Sequence, residues 1–232
     1  MQSNENIAVV LGLYRSGTSF LSRSLTTNTI DCLIFDRDKH GSYRKLQLRH
    51  SDMLTVFNSG DYSNGNPYEI KNDKDPYNKR YKYILIYKNP YSWYISYKYR
   101  YKDYNVEMGT TDIKNLISGW NGFHSEWINF LRDKENYCII NYEDLISNFK
   151  KEFSTICNIL GISRRRKLLD YSQYDHHISP RHFSFFDKNY YLNQDYLKLI
   201  TKDEYYTINQ CLSNDVLHML RVNRVYESSS LH

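Results

Sequence analysis

The chain has 232 residues, a hydrophobic fraction of 41% and a formal net charge of +5 at pH 7. This length suits one or two domains of ~100–200 residues, and no Pro/Gly/Ser-rich linker, repeat or charge block divides it. We therefore predict a single domain over residues 1–232. The mild positive charge suits an anionic ligand and does not require a nucleic acid.

The cysteines are scattered along the chain with no C-x-x-C pair: Cys32, Cys138, Cys157 and Cys211. This spacing favours reduced, buried thiols over a disulfide framework or a zinc site, and so predicts a cytoplasmic protein. No apolar run approaches the ~18 residues of a membrane span, and no secretory leader is recognisable. We expect no membrane span.

The first predicted element is a buried strand that leads into an anion-binding loop. Ile7–Leu11 is continuously apolar, which is typical of a central parallel strand. The chain then turns at Gly12 and passes Gly17 into a helix, where loop N–H groups and the helix dipole favour an anion. The two glycines have Walker A spacing, but Thr18 replaces the lysine and Arg15 is the only nearby cation. The loop thus predicts a phosphate site unlike that of a magnesium-bound nucleotide.

The next part of the chain is less regular. Asp31–Phe35 predicts a second short strand, and the polar segment Asp36–Tyr43 predicts a loop. A helix is predicted from about Arg44 to Phe57. The segment from Asn58 to Lys79 is rich in Asn, Asp, Gly and Pro, and long ordered loops of this kind are often functional.

Two further core strands frame a pair of helices. Tyr83–Tyr87 is apolar and is followed by Lys88-Asn89-Pro90, where Pro90 suits the first position of a helix that extends to about Arg100. Thr111–Asp133 has an apolar stripe at helical spacing, with Thr111 as its cap. Tyr137–Asn141 predicts the third core strand.

The last third is predicted to be mainly helical. Asp144–Leu160 is amphipathic and ends at Gly161, and Tyr171–Tyr191 is irregular. Thr201 and Glu204 form a capping box for a closing helix. Strands that alternate with helices predict an α/β, three-layer, P-loop-like fold with a central parallel sheet flanked by helices.

A second anion site is predicted after the strand Tyr83–Tyr87. Ligands of parallel sheets bind at the carboxyl ends of the strands. Lys88 lies at such an end, and Ser96 lies on the helix that follows. A cation and a hydroxyl in these places can hold a second phosphate, away from the first loop.

These motifs together resemble those of sulfotransferases that use 3′-phosphoadenosine-5′-phosphosulfate (PAPS). Tyr14-Arg15-Ser16-Gly17-Thr18-Ser19 resembles the family's 5′-phosphosulfate loop, and Lys88 to Ser96 resembles its 3′-phosphate motif. Tyr142-Glu143-Asp144-Leu145, leading to Leu160-Gly161-Ile162, resembles its Y-E-D-L helix and L-G-[IL] end. The motifs come in family order and cover roughly residues 7 to 162.

The resemblance implies roles for individual residues. The residues implied to hold the 5′-phosphate and the transferring sulfonate are Arg15, Ser16, Gly17, Thr18 and Ser19. Lys88 and Ser96 are implied to bind the 3′-phosphate, and Arg181 to reach the nucleotide. Arg15 is also implied to be catalytic, because it would stabilise charge on the bridging oxygen. PAPS is the implied donor and PAP its desulfated product, without a metal.

Two departures from the family pattern bear on chemistry. Lys88 replaces the usual arginine, which keeps the charge but loses the bidentate fork. Many bacterial relatives carry a glutamate downstream of the loop as a candidate base, and Arg44 stands at about that place. The base is then a neighbour (Asp36, Asp38 or His40) or comes from elsewhere in the chain.

Several alternatives stay open at this point. For a PAPS-dependent sulfotransferase, the first hypothesis, the acceptor is a hydroxyl of a small molecule or glycan, or a tyrosine side chain. The second hypothesis is a nucleotide-dependent kinase. A third is a binding protein on the same scaffold that has lost its base. The histidines His176, His177 and His182 lack a carboxylate or thiolate pattern, so no metal is predicted. Interleaved Tyr, Lys and Arg over Lys79–Tyr104 reflect the 24 tyrosines of the chain, and no nucleic-acid partner is predicted.

Overall fold

A computed structural model describes residues 6–30, 32–35, 54–58, 81–102, 108–170 and 188–222 of the chain. The chain divides into two compact units. One comprises Met1–Tyr87 and Lys134–Asp175, and the other comprises Lys88–Asp133 and His176–His232. That residues 1–232 act as a single domain stays a prediction.

The described residues of the first unit form a five-stranded sheet in which every pair of neighbours is parallel. Its strands are β1 (Asn6–Leu11), β2 (Cys32–Phe35), β3 (Leu54–Asn58), β4 (Tyr81–Tyr87) and β5 (Tyr137–Asn141). Their order in the sheet is β2-β3-β1-β4-β5. The predicted α/β class with a central parallel sheet is therefore correct.

The strands β1 and β4 are neighbours in the sheet, and the apolar side chains described for them are buried, as their sequences predict. Val10 and Leu11 of β1 and Leu85 and Ile86 of β4 have no exposed surface. Leu11 pairs with Leu85, so the carboxyl ends of the two strands are neighbours. The loop that follows β1 carries the residues predicted to bind the first phosphate, Arg15 to Ser19.

The strand β3 corrects the sequence-based prediction of a helix over Arg44–Phe57. Its two neighbours in the sheet are β1 and β2, with Val56 opposite both Ala8 and Ile34. The apolar spacing suggested a helix, but the segment also contains β-branched Thr55 and Val56, which favour strands. Pairing on both sides decides the outcome for such a short apolar run. Residues 44–53 lie outside the described part of the chain.

The described helices are α1 (Thr18–Asn28), α2 (Pro90–Lys102), α3 (Thr110–Leu131), α4 (Tyr142–Ser147), α5 (Phe149–Ile159), α6 (Lys188–Leu192), α7 (Lys202–Cys211) and α8 (Asn214–Leu220), with a 3₁₀ helix at Asp195–Leu199. Pro90 begins α2 and the Thr201–Glu204 capping box begins α7, both as predicted. The helix α6 extends into a segment predicted to be irregular. No helix in the described ranges is long and apolar enough to span a membrane.

Two helix boundaries differ from the prediction because of local capping. Gly109, not Thr111, precedes α3, and the Asp112 carboxylate accepts a hydrogen bond of 2.9 Å from the Gly109 N–H. The helix predicted over Asp144–Leu160 is divided at Asn148 into α4 and α5. Asn148 has φ −126° and ψ 49°, and its carbonyl accepts the first hydrogen bonds of α5. Asparagine favours this capping position over the helix interior.

A partly buried carboxylate links α2 to α7 in the second unit. The Glu204 carboxylate accepts from Tyr94 Oη at 2.6 Å, from Lys98 Nζ at 2.7 Å and from the Thr201 N–H at 2.9 Å. Burial alone would raise the pKa of Glu204, but the hydrogen bonds from Lys98, Tyr94 and Thr201 outweigh burial and hold the pKa below its ordinary 4.5. The ionised form is therefore favoured by folding.

We expect Glu204→Gln to lower stability at neutral pH by about 1.5–3 kcal/mol, the usual contribution of hydrogen bonds to a charged group. A carboxyl whose pKa is depressed by folding stabilises the protein above its unfolded pKa and loses that effect as pH falls through the folded pKa. The difference between variant and wild type should hence shrink below pH 4.5.

Urea unfolding at pH 7 and pH 3.5 measures this difference. Glu152→Gln is the matched control, because Glu152 pairs at 3.6 Å with a Lys151 side chain that is 77% exposed. Exposed ion pairs of this kind contribute little to the free energy of unfolding. A Glu204→Gln effect that is equal at both pH values would contradict the role of the ionised carboxylate.

Candidate functional site

The loop between β1 and α1 is a tight turn with two left-handed residues. Arg15 has φ 73° and Gly17 has φ 98°. The Ser16 N–H and Ser16 Oγ both donate to the Leu13 carbonyl, at 3.0 and 2.5 Å. A non-glycine residue at positive φ, such as Arg15, costs energy and occurs often at functional sites. The loop conformation is therefore fixed by local bonds and stores strain at its one cation.

Both glycines of the loop are required by close packing within the first unit. A Cβ atom at Gly12 would lie 2.6 Å from Ser16 Oγ, 2.7 Å from Thr18 Cγ2 and 2.8 Å from the Ile86 carbonyl oxygen. A Cβ atom at Gly17 would overlap the ring of Tyr142. Gly12 and Gly17 thus stand at two positions where the loop packs too tightly against its neighbours for a side chain.

The helix α1 begins without a side-chain cap. Gly17 is the N-cap residue, it provides no side-chain hydrogen bond, and the first turn contains no acidic residue. The first N–H groups of a helix lack partners within the helix and attract anions. Ser16 and Thr18, which flank Gly17, are buried, whereas Arg15 is half-buried. Ser19 lies in the first turn of α1, but its side chain is outside the description.

A second cluster lies in the second unit, just after β4. The buried Lys88 donates from Nζ to Ser96 Oγ at 3.3 Å and to Tyr191 Oη at 3.2 Å. Ser96 Oγ donates onward to the Ser92 carbonyl at 3.0 Å. Lys88 and Ser96 are each only 4% exposed. A buried ammonium is costly unless it is well solvated by polar groups, so this cluster is an unusual feature of the unit.

Two aromatic residues at these clusters escaped assignment from sequence. Tyr191 contacts Lys88, and Tyr142 packs its ring against Gly17 and edge-on to Phe20, with centroids 5.9 Å apart. Tyr142 begins the Y-E-D-L motif of the sequence, whereas Tyr191 ends a segment predicted to be irregular. No local spacing rule, however, places them against a lysine or glycine so far away along the chain.

Other predicted site residues lie outside the described part of the chain, and their roles stay predictions. These are Asp36, Asp38, His40 and Arg181; Arg44, His176, His177 and His182 also lie outside it. Within the described ranges, no group of three or more His, Cys, Asp or Glu residues could hold a metal ion. Burial raises the pKa of Cys138 to about 12 and that of Cys157 to about 11, so neither thiol is suited to act as a nucleophile.

Comparisons with known proteins agree on the fold. The mouse sulfotransferase SULT7A1 complexed with PAP aligns with a TM-score of 0.63 and 17% identity, covering 94% of this chain and 87% of that one. The sulfotransferase domain of the Synechococcus PCC 7002 olefin synthase aligns with a TM-score of 0.54 and 14% identity, covering 90% of this chain and 95% of that one. No curated protein matches the sequence.

The family follows from the sequence match rather than from these distant structures. The sulfotransferase domain family matches residues 6–215, which include the loop after β1, Lys88, Ser96 and Tyr191. The match confirms the resemblance drawn from the motifs. The chain belongs to the sulfotransferase domain family, whose members are enzymes that transfer a sulfuryl group.

Proposed function

We propose that this enzyme transfers the sulfuryl group of PAPS to a hydroxyl of a carbohydrate or other small metabolite. The observation that carries the choice of donor is the buried Lys88 ammonium held beside Ser96. A phosphate loop alone suits many ligands. A buried lysine in addition to that loop suits a nucleotide with phosphate at both the 5′ and the 3′ position.

The loop after β1 fits the 5′ end of the donor. Gly12 and Gly17 leave no room for side chains, so an anion can approach the backbone of this loop. The uncapped N-terminus of α1 favours negative charge. In this proposal Ser16, Thr18 and Ser19 bind the 5′-phosphosulfate together with Arg15.

The cluster after β4 fits the 3′-phosphate. The Lys88 ammonium supplies the charge, and Ser96 supplies a hydroxyl. A dianionic phosphate would offset the cost of burying this lysine. Arg181 is proposed as a further contact to the nucleotide. The proposal includes no metal, because an arginine and a helix N-terminus can balance the charge at the reacting end.

The reaction is an in-line displacement, for which the donor supplies the activated sulfuryl group. The acceptor oxygen forms a bond to sulfur as the bond from sulfur to the bridging phosphate oxygen breaks. Arg15 stabilises the charge that develops on the bridging oxygen. The acceptor proton passes to a base, for which Asp36, Asp38 and His40 are the candidates in this chain.

One sequence observation favours a second candidate function. Arg44 stands where similar enzymes often carry a glutamate base, so a protein that binds the donor without transfer is the alternative. A nucleotide kinase is less well supported, since Thr18 replaces the Walker lysine. A tyrosine side chain is also a chemically reasonable acceptor.

Thermal shift measurements test the donor assignment. We expect PAP to raise the melting temperature well above any effect of ADP or of ATP with magnesium, because ligand binding stabilises the folded state by mass action. Stabilisation by ATP–magnesium without stabilisation by PAP would overturn the proposal. Transfer of radiolabelled sulfonate from PAPS to a panel of sugars and phenols then separates the enzyme from the non-catalytic binder.

A further inference from the structure

Tyr191 contacts the lysine that is proposed to bind the 3′-phosphate, yet no role has been assigned to it. Its hydroxyl accepts from Lys88 Nζ at 3.2 Å, and the same ammonium lies 4.9 Å from the centroid of its ring. Both side chains are buried, with Tyr191 only 7% exposed. The ring and the hydroxyl of one residue thus act on a single cation.

We propose that Tyr191 positions the Lys88 ammonium for the 3′-phosphate of the donor; this inference rests on the proposed function. A lysine ammonium is a point charge on a flexible four-carbon stem, whereas arginine presents a rigid fork. Lysine at this position therefore needs outside contacts to fix its direction. Ser96 Oγ fixes one N–H at 3.3 Å and Tyr191 Oη fixes another.

Two physical effects allow Tyr191 to hold the ammonium without neutralising it. A hydroxyl oxygen accepts a hydrogen bond but carries no formal charge, so the positive charge of Lys88 is kept for an anion. The ring lies within the ~6 Å at which an aromatic face attracts a cation. A carboxylate in the same place would hold Lys88 equally well but would repel a phosphate.

The surroundings of Tyr191 hold the residue itself in place. Tyr191 lies in the short helix α6, and its ring packs edge-on against that of Tyr190 with centroids 5.1 Å apart. The ring of Tyr190 in turn contacts that of Tyr196 at 6.1 Å. The hydroxyl that meets Lys88 is thus carried by a buried aromatic cluster, which suits a residue that orients another.

Calorimetric titration with PAP and with AMP tests this role. Tyr191→Phe keeps the ring and removes the hydroxyl, and we expect it to weaken PAP about tenfold, which corresponds to about 1.4 kcal/mol. AMP lacks the 3′-phosphate, and its affinity should change less than about twofold. Tyr191→Leu removes the ring as well and should weaken PAP further.

A double-mutant cycle identifies the path of the effect. If Tyr191 acts through Lys88, Tyr191→Phe should weaken PAP less than about twofold in a Lys88→Ala background. Tyr94→Phe is the matched control: it removes another tyrosine hydroxyl of the same unit, which bonds Glu204 at 2.6 Å, and should leave PAP affinity unchanged. The melting temperatures of both variants report any loss of stability.

The outcomes separate this inference from the proposed function. Wild-type protein that binds PAP no more tightly than AMP overturns both. A wild-type preference for PAP that Tyr191→Phe leaves intact overturns the inference alone. If Tyr191→Phe lowers the affinities for PAP and AMP equally, Tyr191 has a structural role and the inference is wrong. If Tyr191→Phe weakens PAP as much in the Lys88→Ala background as in the wild type, Tyr191 contacts the ligand directly and the inference is again wrong.

Discussion

Lys88→Ala should weaken PAP binding roughly 100-fold, while AMP affinity changes by less than about twofold. Lys88 is 4% exposed, and its ammonium donates to the hydroxyls of Ser96 and Tyr191. Truncation of one member of a buried, hydrogen-bonded charge pair commonly costs about 2–5 kcal/mol, which spans this factor. Calorimetric titration of both nucleotides at fixed ionic strength measures the two affinities.

Two control variants distinguish the loss of a contact to the 3′-phosphate from a general effect of removing a positive charge or of disturbing the fold. Lys114→Ala removes an exposed lysine from α3 and should leave both affinities unchanged. Ser92→Ala removes a buried hydroxyl that has no hydrogen-bond partner among the described residues, one turn before Ser96. It should likewise bind PAP normally. If Lys88→Ala weakens PAP and AMP equally, Lys88 does not interact with the 3′-phosphate.

The sequence predicts best those elements whose physics is local. Tyr137–Asn141 was predicted with the observed bounds, because an apolar run of this length between polar segments has few other solutions. Gly161 was predicted to end a helix, and it does so with φ 57° and a hydrogen bond of 2.8 Å from the Ile162 N–H to the Cys157 carbonyl. In both cases the determining residues are neighbours along the chain.

The errors have two causes, one distant along the chain and one local. The segment Leu54–Asn58 becomes a strand because β1 and β2 pair with its two edges, and neither edge is visible from its own sequence. The helix is divided at Asn148, a single residue that leaves helical dihedral angles within a favourable apolar stripe and whose side chain makes no capping hydrogen bond. A prediction from local apolar periodicity therefore misses both the strand at Leu54–Asn58 and the break at Asn148.

The same distinction applies to the candidate site. The loop from Gly12 to Thr18 is recognisable because its glycines and hydroxyls lie within seven residues of one another in the sequence. Lys88 and Ser96 are recognisable because Lys88 directly follows a predicted strand and Ser96 lies on the predicted helix after it; Lys88 Nζ lies 3.3 Å from Ser96 Oγ. Tyr191 reaches Lys88 across 103 positions of the chain, so its contribution required coordinates.

Gly17→Ala should strongly weaken donor binding and lower the melting temperature. Gly17 has φ 98°, a conformation that costs an L-residue about 1–2 kcal/mol or more. The added methyl would also overlap the ring of Tyr142, which is packed edge-on against Phe20. Because Gly17 caps α1, relief of the overlap would displace the N–H groups that are proposed to bind the 5′-phosphosulfate. We expect a loss of stability of about 2–4 kcal/mol and at least ~100-fold weaker binding.

The nucleotide dependence of this loss distinguishes Gly17 from Lys88. Gly17→Ala should weaken PAP and AMP alike, because both carry the 5′-phosphate, whereas Lys88→Ala should weaken PAP alone.

Gly119→Ala is the control: a Cβ there meets nothing within 4 Å on α3, and alanine is favoured over glycine in a helix by about 0.5–1 kcal/mol. Adding Tyr142→Ala should restore part of the melting temperature of Gly17→Ala by removing the overlap, but not the strain of the positive φ. Normal AMP affinity in folded Gly17→Ala would show that the N-terminus of α1 does not bind the 5′-phosphate.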